Sequence, residues 1–108
     1  MRVRDLKKIF KDAIPEEPVI LDTTMSDMVK IQIEGSGTCD IKCYGQLTNL
    51  IDFSELAIIR DIDYGLINSI SEKGIYTISA IGCRSIKIEI NSIDGELIGY
   101  VCEVGASW

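Results

Sequence analysis

Between Ser85 and Ile90 every second residue is an isoleucine: Ile86, Ile88 and Ile90, with Ser85, Lys87 and Glu89 between them. A period of two with β-branched residues on one side describes a strand with one buried face. A helix would scatter the same residues around its circumference. The stretch from Ile75 to Ile81 is of similar character, and Gly82 separates the two. The sixteen residues Ile75–Ile90 therefore read as two strands meeting at Gly82.

Around this centre the chain is written in the same language. Val19, Ile20 and Leu21 form a short apolar run. Val29, Ile31 and Ile33 alternate with Lys30, Gln32 and Glu34, and Cys39, Ile41 and Cys43 alternate with Asp40, Lys42 and Tyr44. Gly35 and Gly37 supply a turn, so residues 29–34 and 38–44 read as a hairpin. Residues 55–62 fit a helix capped by Ser54 or a strand. The strand is favoured, because the segment is short and its neighbours are β. Asp63 to Gly65 turns the chain, Leu66 to Ser71 is another short strand, and Glu72 to Gly74 another turn. Asp94 and Gly95 mark a second hairpin, between Ile86–Ile93 and Glu96–Val104. Seven or eight short strands with turns at such spacing predict a mainly β chain, an antiparallel β-sandwich or jelly roll.

The N-terminus departs from that pattern. Leu6, Ile9, Phe10, Ala13 and Ile14 fall at helical spacing, and Val3 extends the stripe backwards,. Residues 1–14 are therefore expected to form one amphipathic helix, ended by Pro15 and Pro18. Its charge is distinctive. Arg2, Arg4, Lys7, Lys8 and Lys11 against Asp5 and Asp12 leave +3 in the first fourteen residues, so the other ninety-four carry −9 of the net −6. Such a helix can be a solvated face, a membrane-surface element or a docking peg. The reading preferred here is a peg, with Arg2, Arg4, Leu6, Lys7, Ile9, Phe10, Lys11 and Ile14 meeting an acidic partner. The expected organisation is then a helix over 1–14, a proline hinge over 15–18 and a sandwich over 19–108.

Composition limits the function classes. At 108 residues, with 46% apolar and 26% charged side chains, the chain is one globular domain rather than a disordered one,. A net −6 argues against general nucleic-acid binding, and no apolar run has the length of a membrane-crossing helix,. The charged N-terminus lacks the apolar core of a secretory signal. No membrane or nucleic-acid partner is expected.

Candidate chemistry is sparse. There is no histidine, so a Ser-His or Cys-His nucleophile cannot be assembled within the chain,. Phosphate-cradling glycine motifs do not occur. Cys39 and Cys43 share a strand face too far apart to bridge each other, and their spacing suits a zinc site poorly. Buried free thiols are expected, with a Cys83–Cys102 bridge left open. Asp61, Asp63 and Gly65 resemble a fragment of a calcium loop, but the downstream acid is missing and a tight turn explains them. No catalytic residue, metal or cofactor is assigned. Tyr44 and Tyr64 could supply an aromatic platform for sugar. Trp108 could cover an apolar patch, pack on a neighbour or stand exposed.

Three segments together carry a family resemblance. Ile31, Ile33, Gly35 and Gly37 form an I-x-I-x-G-x-G segment. Gly74, Ile75, Tyr76, Ile78 and Gly82 form G-I-Y-x-I-x-x-x-G, followed by the alternating strand that begins at Arg84. Gly95, Leu97 and Ile98 close the pattern. Residues 29–104 thus resemble a β-sandwich domain found in virion proteins of tailed bacteriophages and prophages. The region from Tyr44 to Phe53 lacks the D-G-x-x-W turn of many members. The resemblance implies a non-enzymatic structural role as a capsid decoration, head-fibre, neck or tail accessory protein. Its location would be the virion, after synthesis in the host cytoplasm. Its partners would be capsid or tail proteins, with homo-oligomerisation, as a trimer, also expected. The alternative is a carbohydrate-binding module that recognises host-surface glycans through Tyr44 and Tyr64.

Overall fold

A computed structural model describes residues 2–3 and 6–105, with side chains from Leu6 onward. Eleven strands and no helix occur among the described residues. They are β1 (Arg2–Val3), β2 (Lys7–Lys11), β3 (Val19–Asp22), β4 (Met28–Gly35), β5 (Thr38–Gln46), β6 (Ser54–Leu56), β7 (Ile58–Arg60), β8 (Gly65–Ile67), β9 (Gly74–Ser79), β10 (Ser85–Asp94) and β11 (Leu97–Gly105).

Every pairing is antiparallel, and the strands divide into two sheets. The larger runs β1-β11-β4-β9-β7-β8, with β2 also on β11; the smaller runs β3-β10-β5-β6. One core joins them. Ile31, Ile33, Ile58 and Ile78 of the larger sheet are sealed from solvent with Ile41, Ile86 and Ile88 of the smaller. The alternation read in the sequence is the alternation observed: in β10, Ile86, Ile88 and Ile90 are buried and the residues between them half-buried. Each buried isoleucine contributes about 1.5–3 kcal/mol of apolar transfer, which is how short strands with few aromatics hold a domain together.

The two expected hairpins do not form. β4 and β5 lie in different sheets, and so do β10 and β11. Instead β4 pairs with β11 from Met28↔Val104 to Gly35↔Leu97, and β5 pairs with β10 from Gln46↔Ser85 to Thr38↔Asp94. Residues 28–46 and 85–105 thus make one long antiparallel ribbon folded over the core at its glycines. At the fold the backbones touch. The Gly37 N–H donates to the Glu96 carbonyl at 3.1 Å, and a Cβ on Gly95 would stand 3.1 Å from the Gly37 Cα. Gly35 and Gly95 take φ of 123° and 88°, values closed to ordinary side chains. Turn glycines mark a reversal equally well for a hairpin and for a corner between sheets. What selects the corner is that both flanking strands carry inward aliphatic side chains (Ile31 and Ile33 before Ile41, Ile88 and Ile90 before Leu97 and Val101), which the facing sheets bury together.

The N-terminal helix is likewise not formed. Lys7–Lys11 is the strand β2, an edge of the larger sheet. Its register on β11 skips a residue: Lys8 faces Tyr100, Phe10 faces Gly99, and Ile9 is the extra residue of a β-bulge,. The bulge turns the adjacent side chains Ile9 and Phe10 both inward, to 9% and 4% exposure. Two neighbouring apolar residues imitate a 3.6-residue stripe, which is why the sequence pattern suggested a helix. A lone helix of that length is marginal in water, whereas the strand takes its backbone partners from the edge of β11. Arg2 and Val3 extend the same edge opposite Gly105 and Val104. Residues 15–18 therefore link the two sheets, from β2 to β3, and the N-terminal segment is part of the sandwich rather than a peg held apart from it.

Residues 55–62 are strand, in two pieces. β6 pairs with β5 in the smaller sheet and β7 with β8 and β9 in the larger, so the chain changes sheet at Ala57.

Candidate functional site

Most residues singled out in the sequence have a definite place. Of the N-terminal group, Lys7, Lys8 and Lys11 are exposed on β2, while Ile9 and Phe10 are core. Leu6 and Ile14 flank the strand and are exposed. Arg2 is placed by its backbone pairing alone, and Arg4 and Trp108 lie outside the described residues. The basic character survives as an edge strand with lysines outward, and two of the four apolar residues of the expected docking face, Ile9 and Phe10, are spent on the interior.

The cysteines are structural. Cys39 and Cys43 point inward on β5, and all four thiols are free. Burial pushes the Cys39 thiol up to about 11, with Asp40 adding to it, and burial pushes Cys43 up to about 12. Both are thiols at neutral pH, and the thiolate is the reactive form.

The calcium-like fragment is a satisfied turn. Asp61 accepts from Lys30 Nζ at 2.5 Å and from Thr77 Oγ1 at 2.7 Å. Burial raises its pKa, but the hydrogen bonds from Lys30 and Thr77 outweigh that and hold the carboxyl below its ordinary range,. Asp63 binds Arg60 through both oxygens, at 3.0 and 2.8 Å, and accepts from the Gly65 N–H. Each carboxylate serves its own partners. Among the described residues no three His, Cys, Asp or Glu side chains gather as a metal site.

Tyr44 and Tyr64 are not brought together. Tyr64 tops the β7–β8 turn of the larger sheet with φ 58°, and Tyr44 stands on the outer face of the smaller sheet. Tyr44 has other company. Lys87, its register partner on β10, holds its ammonium 5.0 Å from the Tyr44 ring centre and 5.2 Å from that of Phe53. Glu89 Oε2 is 3.8 Å from Lys87 Nζ, and Lys42 pairs with Glu55 at 3.4 Å. Partial burial raises the Tyr44 pKa, with Glu89 adding to it. Phe53 and Lys87 were not legible as partners of Tyr44. Their meeting depends on the β5–β10 pairing, which a β4–β5 hairpin reading hides.

The fold and this arrangement define an antiparallel two-sheet β-sandwich with a mixed aromatic and charged outer face. Solved structures with the same fold include the SPBc2 prophage-derived protein YomS. It matches with a TM-score of 0.69 and 16% identity over 95% of both chains. The PBSX exported protein XepA matches with the same TM-score and identity over 95% of this chain and 39% of its own. At that identity the likeness is one of fold. It agrees at that level with the phage-domain resemblance read from the sequence. No family model matches the chain, and no curated protein does.

Proposed function

We propose that the protein is a non-enzymatic structural or accessory component of a phage particle, a capsid decoration, neck or tail protein. The observation that carries this reading is the shared fold: 95% of the chain superposes on a prophage protein along 95% of that protein's own length. The second prophage protein contains the same unit within a longer chain, so the unit suits both independent and built-in use. The docking surface in this reading is the edge strand β2. Lys7, Lys8 and Lys11 stand outward there, on an otherwise acidic domain. An acidic surface of another particle protein is the complementary partner. Lysines on an edge strand also discourage indiscriminate strand pairing, which favours a partner that contacts their charge.

The reading is tested in particles of the phage that encodes the protein, purified by density gradient and analysed by mass spectrometry. The chain should be present at a fixed ratio to the major capsid or tail protein. Its absence from particles, with the protein abundant in the lysate, would sink the proposal.

A further inference from the structure

The outer face of the smaller sheet carries a row of side chains that neither the core nor the edge strand uses. Strand register sets Ile20, Lys87, Tyr44 and Glu55 side by side across β3, β10, β5 and β6. Glu89 and Lys42 form the neighbouring row. At about 4.8 Å between strands, the four-residue row spans about 14 Å. Towards its β3 end a cavity of about 280 Å³ opens beside Lys87 and Glu89, walled by Pro15, Glu16, Glu17, Pro18 and Val19.

The polar groups here are poorly matched to one another. Among the described residues Lys87 donates no hydrogen bond; its ammonium rests over two rings, and Glu89 stands 3.8 Å away, beyond hydrogen-bond length,. The Lys42–Glu55 pair, at 3.4 Å, joins two half-exposed side chains. Exposed pairs of this kind contribute little to stability. The face thus offers two half-buried rings flanked by ammonium donors and carboxylate acceptors that retain bonding capacity.

The geometry points to a binding site for a neutral saccharide chain lying across the strands, over Tyr44 and Phe53. A pyranose has an apolar C–H face, which packs on an aromatic ring, and a rim of hydroxyls that both donate and accept. Lys87 and Lys42 donate to that rim, and Glu55 and Glu89 accept from it. Glu16 and Glu17 at the cavity join Asp40, Glu55 and Glu89 against Lys42 and Lys87, a balance that disfavours an anionic ligand, while the two lysines beside the rings keep donors available to an uncharged one. Lys87 is the movable part: its head occupies the space between the rings and swings out when sugar stacks there. Lys7 and Lys8 of β2 share a pocket with Val19 and Ile20 at one end of the row, but changing the rings at Tyr44 and Phe53 leaves the β2 lysines in place.

The test is an amide chemical-shift titration of the full-length protein with maltotetraose, cellotetraose and chitotetraose, each to millimolar concentration. The expected result is that at least one shifts resonances of residues 42–45, 53–56 and 86–89. Tyr44→Ala and Phe53→Ala should each weaken that binding about tenfold with unchanged melting temperature, while Tyr64→Ala leaves it intact. Three outcomes overturn the proposal: no shift with any of the three probes, shifts confined to another surface, or binding unaltered in both ring variants. Retained incorporation of Tyr44→Ala into particles would separate this site from the structural role.

Discussion

Asp12 and Leu97 hold each other by two reciprocal hydrogen bonds. The Asp12 N–H donates to the Leu97 carbonyl at 2.7 Å, and the Leu97 N–H donates to Asp12 Oδ1 at 2.8 Å. Asp12 does this with φ 58°, a conformation that Asp and Asn tolerate better than other side chains,. The pair fastens the end of β2 to the start of β11. Asp12→Ala removes the acceptor and strains the backbone, for an expected loss of about 2 kcal/mol in urea unfolding. Asp12→Asn keeps both features and should lose under about 1 kcal/mol.

Two residues earlier in the chain, the Phe10 ring fills the space that a Cβ on Gly99 would take. Phe10→Ala should cost about 3–5 kcal/mol and Gly99→Ala about 1–3 kcal/mol. The double variant should cost less than the sum, because the added methyl then enters vacated space. Deleting residues 1–14 removes Ile9 and Phe10 from the core and leaves the edge of β11 unpaired, so the truncated chain should melt far below the full one. A truncated protein of unchanged stability would contradict the placement of β2.

Gly37, at the corner where the long ribbon folds over, contrasts with Gly82 in the connection between β9 and β10. A methyl on Gly37 would collide with the Asp94 carbonyl and lie 3.0 Å from the Glu96 nitrogen. Gly82 has φ 82° but open space around it. Gly82→Ala should cost about 1 kcal/mol, for conformation alone. Gly37→Ala should cost about 3 kcal/mol, because the opposing backbone must move. Equal losses would mean that the two corners are not packed on each other.

Cys39 and Cys43 make stability depend on alkaline pH. Their thiol pKa values are raised on folding, from 9.0 to about 11 and about 12. The folded state therefore holds these protons more tightly than the unfolded chain. Their contribution is complete below about pH 9 and is lost as pH rises towards 11–12,. The urea midpoint should fall across this window in the wild type, and fall less in Cys43→Ala. Parallel pH profiles would show that Cys43 is not desolvated.

Which parts of the sequence declared themselves follows from the range of the forces involved. Alternation in residues 29–33, 39–43 and 86–90 is a local signal, and those residues are strands with the buried faces expected. Pairing is not local. Gly35, Gly37 and Gly95 announce reversals, but whether the chain pairs with itself or crosses to the facing sheet depends on residues 39 to 76 positions away. The N-terminal stripe misled for a related reason: a bulge on β2 is set by β11 and leaves a helix-like pair in the sequence. The same dependence hid the contact of Lys87 with Tyr44 and Phe53, while Tyr64, marked by residue type alone, sits on the other sheet.

The claim that the lysine edge docks the protein onto a particle is tested by Lys7→Glu, Lys8→Glu and Lys11→Glu in one chain. All three side chains are exposed, so the backbone pairing of β2 and the inward Ile9 and Phe10 are untouched and the variant should fold as the wild type does. The measurement is its amount in gradient-purified particles relative to the wild-type protein. The account predicts a loss of at least about tenfold, with normal folding in the lysate. Incorporation at the wild-type level would contradict it.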